Sequence, residues 1–182
     1  QICANTMDMT NQAELIADQP SPLTIDPAAT FTNAGTLAAQ GGGTLRLSGG
    51  LYANETGLIE SRAGSLVELS SATISGGTLQ AVDDGAFRVI ATSSLNGDVS
   101  PVSIGCAVEM LNSIDIILRG SILNSGSLNL SAGGSFTDVQ AADGVVTLPG
   151  GGSINMATAS AAGITGVSGG SLINADNTIR GS

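Results

Sequence analysis

The sequence predicts an all-β protein, a right-handed parallel β-helix (β-solenoid) with coils of about 21 residues. Three observations lead there. A Gly-Ser/Thr-Leu step recurs at near-constant intervals, as tandem structural units require. Apolar residues within each step alternate with period two, the strand signature. Glycine fills 26 of 182 positions without a collagen period, so the chain needs many corners. With 42% hydrophobic but only 2% aromatic residues, the core must be built from Leu, Ile, Val and Ala, and such apolar content argues against disorder.

Residues 1–22 are the least repetitive stretch and read as an N-terminal cap or lead-in segment. Within them "NQAELIAD" (11–18) reads as a short helix or capping turn. Pro20 and Pro22 suit a strand edge, since proline donates no ladder hydrogen bond. Residues 23–182 read as the solenoid. Gly43-Thr44-Leu45 is followed at 21-residue steps by Gly64-Ser65-Leu66, Gly85-Ala86-Phe87 and Cys106-Ala107-Val108. Gly126-Ser127-Leu128 comes after 20 more, Gly152-Ser153-Ile154 after 26 and Gly170-Ser171-Leu172 after 18. A second series runs through Gly35-Thr36-Leu37, Gly57-Leu58-Ile59 and Gly77-Thr78-Leu79, so each unit carries at least two strands.

Leu45-Arg46-Leu47, Phe87-Arg88-Val89, Val108-Glu109-Met110, Leu128-Asn129-Leu130 and Ile154-Asn155-Met156 read in-out-in. The first series therefore predicts one inward column of Leu45, Leu66, Phe87, Val108 and Leu128. "IATSSLNGDVSPVSIG" (90–105) breaks the pattern, and Asn96-Gly97 with Pro101 predicts a looped-out excursion. Phe31, Phe87 and Phe136 fall in strand positions and read as core. Asn33, Asn54, Asn124, Asn129, Asn155 and Asn174 recur near corners, where asparagine satisfies turn backbones. About eight coils at a strand spacing of roughly 4.8 Å make a rod of roughly 40 Å. An antiparallel sandwich or barrel is the competing fold, but it has no need to repeat Gly-Ser/Thr-Leu in register.

The formal charge is −10, from 15 acids against five arginines, with no lysine or histidine. Such a surface repels nucleic acid, whose binding rests on Lys and Arg, and an anionic bilayer. No apolar run approaches the roughly 18 residues of a membrane span. Cys3 and Cys106 permit one disulfide or stand as two small buried thiols.

The lines "TFTNAGTLAAQGGGTLRLSGG" (30–50) and "SLINADNTIRGS" (171–182) resemble the passenger regions of filamentous-haemagglutinin-like and autotransporter adhesins. The resemblance spans about residues 23–182 and lies in repeat style rather than in one sharp motif. It implies export to a bacterial outer surface, a long β-helical stalk, and contact roles in cell adhesion or biofilm. The Asn-Pro-Asn-Gly signature of two-partner secretion modules is absent, which points to stalk. A pattern still running at Gly181-Ser182 fits one segment of a longer array.

Catalysis is the other class to weigh, because pectate lyases and polygalacturonases use parallel β-helices and a fold does not decide function. Asp83-Asp84 is the obvious acidic pair for glycan cleavage, which takes two carboxylates. "DDG" is also an ordinary corner before a strand. Arg46 and Arg88 hold equivalent outward positions two coils apart, either as part of such a binding site or as a solvated face paired with Glu68 and Glu109. No calcium-repeat, P-loop or dinucleotide motif occurs. The reading is thus a non-catalytic structural or adhesive segment, with no cofactor or metal. Its partners are neighbouring coils, further copies of itself, or host-surface and matrix glycans. The alternative is a polysaccharide-binding or polysaccharide-cleaving β-helix with its site at Asp83, Asp84, Arg46 and Arg88.

Overall fold

In a computed structural model, which describes residues 1–3, 7–157 and 161–181, the chain is a parallel β-solenoid of eight coils. Each coil contributes one strand to each of three faces. The third face is an eight-stranded sheet running from Leu23–Ile25 through Thr44–Ser48, Leu66–Ser70, Ala86–Ala91, Ala107–Met110, Ser127–Leu130 and Ser153–Met156 to Thr178–Gly181. The first and second faces join into one 14-stranded sheet, because Ser93–Ile104 and Ile116–Asn124 each run round the corner between them without a break. All pairings between these strands are parallel.

The in-out-in triplets explain the core. On the third face Leu23, Leu45, Val67, Phe87, Val108, Leu128, Ile154 and Ile179 stack in register. From Leu45 to Ile154 every member of that column is at most 2% exposed. Coil length varies along it, from 20 residues (Val67 to Phe87) to 26 (Leu128 to Ile154). The second glycine series holds its register: Leu37, Ile59 and Leu79 are paired on the second face, all fully buried.

The structure corrects several expectations. Leu66 is not in the inward column. It pairs with Thr44 and Ala86 on the outward row, and Val67 takes the inward place. The cause is the corner, where Gly64 is an extra turn residue at φ +67° and Ser65 matches Gly43. The last step, Gly170-Ser171-Leu172, belongs to the second face, where Leu172 pairs with Val146. Ile179 continues the third-face column instead. "NQAELIAD" forms no helix. Glu14–Ala17 is a strand paired with Thr36–Ala39, and with Met9–Asn11 it makes the first coil. Strand pairing thus starts at Met9 rather than at residue 23. Of the preceding residues, Ile2 bridges Ile25. The stretch 90–105 is not looped out. Ser93–Ile104 is continuous strand, with a register shift only between Gly97 and Val102, and Val99 stands out there at 85% exposure. Phe31 and Phe87 are core, but Phe136 is 75% exposed in the corner before Thr137–Ala141.

Buried asparagines tie the corner between the first two faces. Asn11 Nδ2 donates to Asn33 Oδ1 at 2.8 Å, and Asn33 Nδ2 to Asn54 Oδ1 at 2.7 Å. Asn54 Nδ2 ends the series on Gly76 O at 3.2 Å. The backbone must come close for this. A Cβ at Gly57 would overlap the Asn33 amide and Asn54 Oδ1, and one at Gly77, at φ +73°, would overlap Asn54 O. At the next corner Asn124 Nδ2 donates to Asn177 Oδ1 at 2.8 Å. Asn129 and Asn155 face outward instead, and Asn174 binds Asn177.

Candidate functional site

The middle residue of each third-face triplet points outward. Thr24, Arg46, Glu68, Arg88, Glu109, Asn129, Asn155 and Arg180 form one ladder in register. Its chemistry is local. Arg46 reaches Glu68 Oε2 through Nε at 2.8 Å and Nη2 at 2.7 Å. Arg88 reaches Glu109 Oε2 through the same two nitrogens, both at 3.4 Å. Asn155 Nδ2 donates to Asn129 Oδ1 at 2.8 Å. Arg46 and Arg88 therefore have Glu68 between them, and each holds a glutamate one coil toward the C-terminus. Such part-exposed pairs contribute about 0–1 kcal/mol each.

Asp83-Asp84 lies elsewhere, at the corner leading into Ala86–Ala91. Gly85 N–H donates to Val82 O at 3.1 Å to close the turn. The same closure recurs in the two preceding coils, Gly43 to Gln40 and Ser65 to Arg62. Asp83 adopts φ +52°, in the left-handed region that Asp tolerates. The two carboxylates thus occupy the turn positions held by Gly41-Gly42 and Ala63-Gly64. The structure does not assemble Asp83, Asp84, Arg46 and Arg88 into one group. Among the described residues no three His, Cys, Asp or Glu side chains are grouped to hold a metal.

Cys3 and Cys106 are buried free thiols. Cys3 follows the bridge to Leu23–Ile25, while Cys106 precedes Ala107–Met110, four strands further along that face. Four spacings of roughly 4.8 Å put them far beyond disulfide reach, so the bridge that an even count permits does not form. Burial pushes the Cys106 thiol up to about 12. It raises Cys3 too, with the charge of Asp8 adding to the effect.

Two features went unread in the sequence. Arg62 staples three coils at the second-face corner: Nε to Glu60 at 2.6 Å, Nη1 to Gln40 at 2.8 Å and Nη2 to Glu14 at 2.5 Å. Its hydrogen bonds to Glu60 and then Glu14 raise its pKa further. The alternation Glu60-Ser61-Arg62, two side chains on one face, was the available signal. The second feature is a groove of about 430 Å³ at the C-terminal end of the ladder, lined by Asn129, Leu130, Asn155, Met156, Arg180 and Gly181 among others. Its arginine shares a row with Arg88, which shows only once coils of 26 and 25 residues are counted.

No protein-family description matches the chain, and no curated protein or solved structure is significantly similar to it.

Proposed function

We propose that the chain is a structural and adhesive rod, a β-solenoid segment of an exported bacterial surface protein that performs no catalysis. The observation that carries this reading is where the charged side chains go. Arg46, Arg88 and Arg62 are each engaged by glutamates of the chain itself, mostly across coils, so the chemistry that a site would aim at a ligand holds the stack together. The repeat style of residues 30–50 and 171–182 supports the outer-surface, extracellular setting. Contact with host-surface or matrix glycans then spreads along flat faces rather than entering a catalytic cleft.

The test is direct. Beads coated with the protein are passed over immobilised matrix glycans and cell monolayers, and the same glycans are assayed for new reducing ends. Retention above bare beads without cleavage is expected. Reducing ends that vanish in Asp83→Ala would replace this reading with a polysaccharide-cleaving one, and loss of retention in that variant would favour a glycan site at Asp83.

A further inference from the structure

We propose that the open edge of Thr178–Gly181 is a docking site for a parallel β-strand of a partner polypeptide whose core triplet reads apolar–acidic–apolar. Thr178–Gly181 is the terminal strand of its sheet, so one row of its N–H and C=O groups faces no described strand. Such an edge is a template for strand addition. What it selects is written in the two rows that end there.

The outward row asks for an acid. Arg46 and Arg88 each hold a glutamate in the next coil toward the C-terminus. Arg180 is the third arginine of that row. It is exposed, and among the described residues no carboxylate lies within ion-pair reach of it. The coil before offers Asn155, already bonded to Asn129. A strand added beyond it brings its own middle residue opposite the guanidinium.

The inward rows ask for apolar residues on either side. Ile179 ends the buried column at 40% exposure. In the neighbouring column Leu130 and Met156 are followed by Gly181, which has no side chain, and the groove of about 430 Å³ opens there. In parallel register a partner triplet sets its first apolar residue over Ile179, its carboxylate over Arg180 and its second apolar residue over Gly181, into the groove. The chain itself contains triplets of this form, Val67-Glu68-Leu69 and Val108-Glu109-Met110. The first coil of a second copy fits less well. Ile2 already sits on its third-face edge, donating to Thr24 O at 2.8 Å and accepting from Asp26 N at 3.0 Å, and the row presents Thr24 rather than an acid.

The experiment is an NMR titration of the 15N-labelled protein with a synthetic peptide of residues 64–70, GSLVELS, and with the same peptide carrying Glu68→Gln. Saturable shifts of the amides of residues 178–181 are expected with the first peptide. Affinity should fall about three- to fivefold for the Gln peptide, and equally for Arg180→Gln protein, as removal of one exposed ion pair allows. The difference should close in 0.5 M salt. Arg180 is exposed, so the variant keeps the wild-type circular dichroism and remains a fair control. Absence of shifts at 178–181, or equal affinity for the two peptides, overturns the proposal. An oligogalacturonate that shifts these amides when the peptide does not makes the groove a saccharide subsite and equally overturns it. None of these outcomes touches the adhesion and cleavage assays above.

Discussion

Two neighbouring substitutions separate the observed register from the one that even 21-residue spacing suggests. Val67 is fully buried between Leu45 and Phe87, and Leu66 lies on the outward row between Thr44 and Ala86. Val67→Asp loses the burial of a valine, about 1.5–3 kcal/mol, and puts an acid with no partner into an apolar stack, about 2 kcal/mol or more even when it is neutralised. A total of roughly 4–5 kcal/mol consumes most of a stability in the usual range of about 5–15 kcal/mol. Leu66→Asp replaces a half-buried surface residue and should cost about 1 kcal/mol or less. The chain has no tryptophan and one tyrosine, so urea unfolding is best followed by far-UV circular dichroism. Val67→Asp should be unfolded or nearly so in water, with Leu66→Asp close to wild type. The opposite order would refute the register and, with it, the placement of every outward residue on the third face.

Arg62→Ala should loosen the first coil, because it cuts the links to Glu14, Gln40 and Glu60 together. A loss of about 1–2 kcal/mol, with faster amide exchange in residues 9–17 than in 116–130, is the expected signature. Asn33→Leu should cost about 2–4 kcal/mol in urea unfolding, since it strands the buried Asn11 and Asn54 amides and Leu58 O. Titration of denatured, unreduced protein should find two free thiols. In the native protein Cys106, with its pKa pushed up to about 12, carries little thiolate at pH 8 and should resist alkylation. Its labelling should rise only in strong alkali, and rapid labelling at pH 8 would show that the thiol is not buried as described.

The fold was legible because period-two triplets and glycine corners are both local and repeated. The errors came where one residue at a corner changes everything after it. A one-residue slip turns each side chain to the other face, and Gly64 produced that slip for Leu66. "NQAELIAD" has good helix formers, but its pairing with Thr36–Ala39 outweighs a propensity of a few tenths of a kcal/mol per residue. Phe136 looks like core from its type, and only the corner geometry after Gly133-Gly134 turns it to solvent. Arg46 and Arg88 were readable as paired with Glu68 and Glu109, because all four sit in triplets of the same form. Arg62 and Arg180 were not, since one lies past a strand end and the other beyond two lengthened coils.

The division of labour between the two acidic residue types explains why the flagged carboxylates form no site. Glu14, Glu60, Glu68 and Glu109 lie within strands, and each meets an arginine. The remaining glutamate, Glu55, is in a corner and accepts a hydrogen bond from Ser75. Most aspartates also stand at corners, among them Asp18, Asp26, Asp83, Asp84, Asp143 and Asp176. A strand glutamate is long enough to reach across the coil spacing to an arginine. A corner aspartate is short enough to bond its own turn or to accept a left-handed φ, as Asp83 does. The net charge of −10 is therefore carried largely by the corners, while the ion pairs neutralise the faces locally. Two such rods repel where their corners meet. Contact is left to the flat faces and to the open edge beside Arg180, where the row of ion pairs stops on an arginine without its glutamate.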